Sequence, residues 1–403
     1  MPIRRRRDRD VVAWVDAAAN EDLASFTHGK RDPSLLEFSV ALAESMIERF
    51  YDSAEGGFWQ SPADSKDLIL RVKEDSDGAE PSGNTPAQHA AEIKKVRGTL
   101  VSMRESIAVI LGAKPTEVVF TSGGTEANNA AILGYSAGRR GVIAIPPGEH
   151  PSVDMTVHRL ESEGWSRSVI PLDSQGLIAL EQWTVNENEL PLVVTTLLAH
   201  NETGVIRELH GLSEFCRSRR IPLHVDAVQA VGKTDVQFHS LNATSLSLAA
   251  HKFHGPRGIG ALLIREGTRL APYLVGGHQE REQRAGTEPV ALAVGMAKAL
   301  QLWSDQRHRW TREVAILRDR LEQQLRAACA PVVIHGEGAP RLPNTLNIGF
   351  LDCDGEALLV ALDLAGICCS MGSACASGSS QPAPILLAMG GTPALARSSL
   401  RFS

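Results

Sequence analysis

From residue 89 to 265 the chain alternates segments of helical period with short apolar runs. His89 to Leu111 repeats its apolar positions at helical spacing. Glu117–Thr121 (EVVFT) is a short β-rich run that ends on Ser122-Gly123-Gly124, and Glu126–Leu133 resumes helical spacing directly after that turn. Further strands are predicted at Val142–Ile145, Leu192–Leu198, Leu223–Asp226, Ser245–Ala249 and Ile259–Ile264, with helices such as Leu212–Arg219 among them. Strands separated by helices predict an α/β domain with a mostly parallel sheet, because a parallel pair needs a long crossover. In such a sheet ligands bind at the carboxyl ends of the strands.

The pattern then changes. Ala291–Trp303 and Trp310–Ala328 read as two helices, Val332–Ile334 and Asn344–Phe350 as strands, and Asp354–Leu364 as a helix. Ile367–Cys369 reads as a short β-like run, with Cys368 and Cys369 expected to be buried. This mixture predicts a smaller α+β domain. Residues 51–80 carry eight acidic side chains against three basic ones, which predicts a surface insertion of weak local structure.

Composition narrows the function classes. A chain of 403 residues that is 43% hydrophobic and 22% charged has the length for two or three packed domains and is neither disordered nor fibrous. Its net charge of −6 makes it a poor general binder of nucleic acid. No apolar run approaches membrane-spanning length. Residues 4–10 hold five basic and two acidic side chains with no apolar stretch behind them, which predicts a solvated tail and not a secretory signal. The six cysteines, at 216, 329, 353, 368, 369 and 375, include no C-x-x-C pair and no metal-ligand spacing. Free thiols, no bound metal and a cytoplasmic location are the expectation, with one thiol available as a nucleophile.

Four features carry chemistry. Lys252 follows a predicted strand in a loop rich in Gly and Pro (AHKFHGPRG), where a lysine amine kept partly neutral can bond an aldehyde. Alone, such a lysine is ordinarily a solvated loop residue. Asp226 closes another apolar strand (HVDAVQ) and could hold a pyridine nitrogen protonated; its ordinary reading is a helix cap. Thr121-Ser122-Gly123-Gly124-Thr125-Glu126 is a strand–glycine–helix junction, an anion site if its free N–H groups face a ligand. His150, after Gly148-Glu149, could stack on a planar ring, though a lone loop histidine is ordinarily just surface. Phosphate cup, stacking ring, acid and lysine together are the equipment for pyridoxal 5'-phosphate.

The chain resembles the cysteine desulfurases, the NifS- and IscS-like group I of the class V pyridoxal-phosphate enzymes. The motifs recur in order: TSGGTEANN at 121–129, GEHPSV at 148–153, NETGV at 201–205, VDAVQAVGK at 225–233, AHKFHGPRGIGAL at 250–262, QEREQRAGT at 279–287, LPNTLNI at 342–348 and DGEALLVALDLAGICCSMGSACASGS at 354–379. The resemblance implies the fold-type I architecture, with a large cofactor-binding domain over 31–289 and a small domain formed by 1–30 with 290–403. It implies that Lys252 bonds the cofactor, Asp226 pairs with the ring nitrogen, and His150 stacks on the ring. Gln229 and Asn201 would hydrogen-bond the phenolic oxygen or its surroundings. Gly124, Thr125 and His251 would bind the phosphate, joined by Thr287 from the neighbouring subunit of a homodimer. Arg401 would clamp the substrate carboxylate, a task suited to a bidentate guanidinium. Cys375, in SACAS, would take sulfur from L-cysteine as a persulfide, leave L-alanine, and pass the sulfur to an acceptor protein such as an iron–sulfur scaffold, or into RNA thiolation.

Several positions depart from the family pattern. Ala249 stands where the family has a phosphate-binding serine, two positions before the histidine of the His-Lys pair, which removes a hydrogen bond worth about 1–2 kcal/mol. VDAAAN at 15–20 lacks two familiar threonines, and His278 replaces a glycine. The sequence ends at Ser403, so the small domain is expected to lack the usual C-terminal helix. Two other readings stay open: a selenocysteine lyase or another class V enzyme, and a non-catalytic scaffold for desulfurase partners. Cys375 speaks for the desulfurase, and the persistence of Lys252, Asp226, His150, Cys375 and Arg401 together speaks against the scaffold.

Overall fold

The computed structural model describes residues 86–372 and 382–403, with side chains from residue 97 onward. The expected insertion at 51–80, the N-terminal part of the expected small domain and Cys375 lie outside the described residues. Two compact units divide the chain: Met1–Met103 with Pro289–Gly295, and Arg104–Glu288 with Met296–Ser403. The second holds both sheets described below.

The main sheet has seven strands: β1 (Val118–Thr121), β2 (Val142–Ile145), β3 (Ser166–Val169), β4 (Pro191–Leu197), β5 (Leu223–Asp226), β6 (Ser245–Ala249) and β7 (Gly260–Ile264). Their order is β1-β7-β6-β5-β4-β2-β3. Only β7 runs against the rest, pairing antiparallel with β1 and β6. All other pairs are parallel. Six strands therefore point their carboxyl ends the same way, and the motifs following β1, β2, β4, β5 and β6 gather along one edge.

The inner strands of the sheet are buried. All residues of β1, β2, β5, β6 and β7 are buried, as expected of strands covered on both faces. Helix α1 (Pro86–Leu111) precedes the sheet; α2 (Gly124–Ser136) and α3 (Pro151–Ser162) pack against each other and bury Ala127, Ala131, Ile132, Val153 and Val157 with Ile143, Val193 and Leu262. Gly260 allows the first turn of α2 to sit this low. A Cβ there would stand 2.5 Å from Leu248 O and 2.8 Å from Gly123 Cα. Helix α4 (His210–Arg219) leads into β5.

Helix α5 (Val290–Ala328) leads to a second, three-stranded antiparallel sheet of β8 (Val332–Ile334), β9 (Leu346–Phe350) and β10 (Ser399–Phe402), in the order β10-β9-β8. Ile334, Leu346, Ile348, Phe350 and Leu400 form its core, backed by Leu321 and Leu325 and by Leu358 and Leu362 of α6 (Gly355–Leu364). The short helices α7 (Pro384–Ala388) and α8 (Pro393–Arg397) complete the described chain. No helix among the described residues is long and apolar enough to cross a membrane.

Three expectations need correction. The two helices predicted at 291–303 and 310–328 are one, α5. The polar stretch between them holds no Gly or Pro to break it and is laced by i,i+4 contacts, Gln301 to Asp305 at 2.7 Å and Arg309 to Glu313 at 2.9 Å. Residues 367–369 form no strand; the only pairing there is a bridge from Ser370 to Arg401. Cys368 is exposed and Cys369 half-buried, because the chain leaves α6 along the surface without entering a sheet. Strands β3 and β10 and helix α3 went unpredicted, β3 because its SRSV sequence forms a largely exposed edge.

Candidate active site

Asp226 ends β5 and is buried. Its Oδ2 accepts from Asn128 Nδ2 at 2.7 Å and its Oδ1 from the Val228 N–H at 3.0 Å. Asn128, on the buried face of α2, also donates to Ser152 Oγ at 2.8 Å. Its own carbonyl Oδ1 lies 2.9 Å from His224 Nε2, and His224 Nδ1 lies 2.9 Å from Ser245 Oγ. A carbonyl can only accept, so His224 carries its proton on Nε2 and accepts from Ser245. Burial holds His224 neutral, pushing it down to about 3. The chain Ser245–His224–Asn128–Asp226 thus fixes the carboxylate from behind.

The loop after β2 supplies His150, the N-cap of α3. Its Nδ1 accepts from the Ser152 N–H at 3.1 Å and lies 2.7 Å from Ser152 Oγ, so the ring is bare at Nδ1 and carries its proton on Nε2. Burial lowers His150; the Asp226 carboxylate pulls it back up and the Lys252 ammonium pushes it further down. His150 therefore sits within the fields of both Asp226 and Lys252. Gly148 takes a left-handed φ of +75°, and a Cβ there would meet Ile385 at 2.8 Å.

Two buried groups hold this loop in place. His200, neutral because burial and the Arg207 charge push it down to about 3, donates from Nε2 to Gly148 O at 2.8 Å and accepts at Nδ1 from the Glu202 N–H at 3.1 Å. Glu149 accepts from the Leu197 N–H at 2.7 Å and pairs with Arg207, which also donates to Thr196 at 2.9 Å. Burial pushes Glu149 up to about 7 against the pull of Arg207. Sequence reasoning missed His200, Arg207 and Glu149 as positioning groups; the adjacency of Glu149 to His150 was the only local signal.

Lys252 lies on the turn Ala250–Phe253 that follows β6. Arg401, on β10, donates from Nη1 to Asn201 O at 3.0 Å, which brings two of the candidate residues together. Gln229 receives a hydrogen bond from Lys233 at 2.6 Å. Lys233 is buried and lowered to about 7 by desolvation and by the nearby Lys252 and Arg401 charges. Glu202, pushed up to about 7 by burial and drawn back by Arg401, faces the same cluster.

At the head of α2, Gly123 and Gly124 lead into Thr125 and Glu126. The Ser122 N–H is held by Glu126 at 2.7 Å, and Glu126 is itself forked by Arg284 at 2.8 and 3.2 Å. The N–H groups of Gly124 and Thr125 belong to the first turn, where a helix leaves its donors for a ligand. A Cβ on Gly124 would stand 2.6 Å from Val228 Cγ2 and 3.7 Å from the Ala249 methyl, so Val228, two positions after Asp226, and the residue replacing serine both border this cup. Thr125, His251 and Thr287 are exposed.

One carboxylate, a lysine, a flanking histidine and a glycine cup therefore lie along one sheet edge. The family model for aminotransferase class-V matches residues 81–403. The chain belongs to the class-V aminotransferase family. Within it the chain belongs to the cysteine desulfurases: it is 41% identical to a cysteine desulfurase of Nostoc sp. over 303 residues, 74% of this chain and 76% of the relative. A NifS-like protein of known structure matches at a TM-score of 0.69 and 31% identity, covering 77% of this chain and 83% of that one. A structure of SspA in complex with cysteine matches at a TM-score of 0.69 and 29% identity, covering 82% of this chain and 92% of that one.

Class-V aminotransferases and cysteine desulfurases depend on pyridoxal 5'-phosphate, and the residues present fit that group. The fit rests on the donor set: a buried carboxylate whose oxygens are already oriented, a lysine beside it, and a helix N-terminus where only glycine is tolerated. The charges of Lys252 and Arg401 both act on Lys233, so three basic side chains lie near one another in the site.

Proposed function

We propose that this class-V enzyme is a cysteine desulfurase that takes the sulfur of L-cysteine, leaves L-alanine, and holds the sulfur as a persulfide on Cys375. When bound, pyridoxal 5'-phosphate supplies an electron sink for the charge that develops at the substrate α-carbon. Lys252 anchors the cofactor and, once displaced by substrate, moves the α-proton with its amine. Asp226 holds a proton at the ring nitrogen, with Asn128 and the Val228 N–H keeping its plane fixed. His150, protonated on Nε2, covers the ring. Gly124 and Thr125 bind the phosphate, and His251 contributes to the same cup. Asn201 and Gln229 orient the ring's oxygen, and Arg401 binds the substrate carboxylate as a fork. The Cys375 thiolate attacks the substrate sulfur; the carbon–sulfur bond breaks, and the sulfur–sulfur bond of the persulfide forms.

The observation that supports this reading is the hydrogen-bonded run from Asp226 through Asn128 and Ser152 to His150, on whose ring Lys252 also acts. The exposure of Thr287 supports a homodimer in which Thr287 serves the partner's phosphate. An acceptor protein, such as an iron–sulfur scaffold, or an RNA-thiolation pathway then takes the persulfide. The division into a large domain over 31–289 and a small domain of 1–30 with 290–403 belongs to the same reading, as does a cytoplasmic location.

The test is to supply L-cysteine to the cofactor-loaded protein and follow alanine, with labelled sulfur tracing the persulfide. Wild-type protein should form alanine and carry the label. Cys375→Ser should carry none and form little alanine. Alanine formation by Cys375→Ser at the wild-type rate would remove Cys375 from the chemistry, and an unaltered cofactor absorbance in Lys252→Ala would remove Lys252.

A further inference from the structure

Lys233 is the buried titratable group to which the mechanism above gives no part. Only 8% of it is exposed. Its Nζ donates to Gln229 Oε1 at 2.6 Å and to the Gln229 carbonyl at 3.2 Å. The charges that act on it are those of Lys252, on the turn after β6, and Arg401, on β10, both cations; the buried Glu202 faces Arg401 in the same cluster but makes no ion pair with Lys233. Among the described residues no carboxylate pairs with it. A buried ammonium without a counter-ion is costly, and a methionine of similar length would fill the space without that cost. The amine therefore contributes something that packing alone does not need.

We propose that Lys233 is a positioning residue: it captures the side-chain oxygen of Gln229, which leaves the Gln229 NH2 as the group presented to the cofactor, and it places a second positive charge beside Lys252. The inference rests on the assignment of Lys252 and Gln229 to the cofactor site.

The chemistry is one of donors and acceptors. An ammonium offers three donors and no acceptor, so an amide facing it must turn its oxygen inward. What remains is an N–H donor, suited to a phenolic oxygen that carries negative charge. Without Lys233 the amide can turn over and oppose that oxygen with its own carbonyl. The charge acts in the same direction. Two ammonium groups in a desolvated pocket each disfavour the charged form of the other, so Lys233 favours the neutral, bond-forming state of Lys252. Burial and the two cations bring Lys233 down to about 7, so it keeps a substantial protonated fraction at neutral pH.

The measurement is the pH titration of cofactor absorbance in the loaded protein without cysteine, which needs no turnover. Lys233→Met should raise the midpoint by about one pH unit, because a neighbouring cation and an N–H donor have both been lost. Lys233→Arg, which keeps charge and donors, should restore most of the wild-type midpoint. A midpoint in Lys233→Met equal to that of the wild type overturns the proposal. Gln229→Leu supplies the second arm: added to it, Lys233→Met should shift the midpoint less than it does alone, whereas full additivity overturns the route through Gln229. Should the methionine variant not fold, Lys233→Gln takes its place with the same expected rise. Wild-type protein that shows no cofactor band would instead overturn the parent assignment of Lys252, and this inference with it.

Discussion

Asn128 and Asp226 stand 98 positions apart in the chain, yet the amide Nδ2 meets the carboxylate Oδ2 at 2.7 Å. One residue belongs to the helix that opens on the glycine cup, the other to the end of β5. Their hydrogen bond ties the helix at the glycine cup to the acid at the end of β5. Because His224 occupies the other side of the Asn128 amide, the amide cannot rotate without losing a second buried bond.

Asn128→Ala is therefore expected to do more than weaken cofactor binding. It deprives a buried histidine N–H of its acceptor and a buried carboxylate of a donor. Each unsatisfied group costs about 1–3 kcal/mol, so equilibrium denaturation of the apo protein should show a loss in that range or above. Cofactor dissociation should accelerate in parallel. A variant as stable as the parent would show that the chain from Ser245 to Asp226 bears no strain-sensitive connection.

Ala249→Ser tests the most specific departure from the family pattern. The Ala249 methyl lies against the glycine cup, so a hydroxyl there should reach a bound phosphate. One added hydrogen bond is worth about 1 kcal/mol, roughly fivefold in affinity. Titration of apo protein with pyridoxal 5'-phosphate should show that tightening. An unchanged dissociation constant would mean that the hydroxyl points elsewhere.

Two buried histidines contribute a share of the stability that acid removes. His200 and His224 are held neutral in the fold, both down to about 3, against about 6.5 when unfolded. Between those values the unfolded chain binds more protons. Their contribution is thus fully present above pH 6.5 and is lost as pH falls toward 3, at up to about 1.4 kcal/mol per pH unit for each ring. The urea-midpoint advantage of the wild type over His224→Asn isolates one ring and should shrink steadily as pH falls from 6.5 to 5. The buried carboxyls Glu149 and Glu202, both raised to about 7, act in the opposite sense as pH rises from 4.5 to 7, so the slope observed is the difference. A wild-type advantage over His224→Asn that stays level from pH 6.5 to 5 would mean that the His224 ring charges freely in the fold.

Most of what the sequence disclosed was local. Strands 142–145, 223–226 and 245–249 were bounded correctly because each is a short apolar run closed by a polar or glycine-rich turn. Lys252, Asp226, His150 and the glycine cup were legible for a related reason: each sits at a strand end, where the fold puts ligands. What stayed hidden depends on partners distant in the chain. Arg207 finds Glu149 58 positions away, and His200 finds Gly148 52 positions away; neither has a signature within its own segment. Lys233 drew no reading of its own, because burial cannot be read from one residue's neighbours. The exposure of Cys368 went against expectation for the converse reason: an apolar run after a helix can as well lie on the surface as enter a sheet.

The crowding of Lys233, Lys252 and Arg401 also bears on the protein before it is loaded. Before the cofactor binds, Lys233 stands in the fields of Lys252 and Arg401, and burying its charge there weakens that part of the fold. A tightly held ligand then stabilises in proportion to the logarithm of its concentration over its dissociation constant. The newly made chain is accordingly the form most open to proteases. Its lifetime in a cell would then follow the concentration of pyridoxal 5'-phosphate.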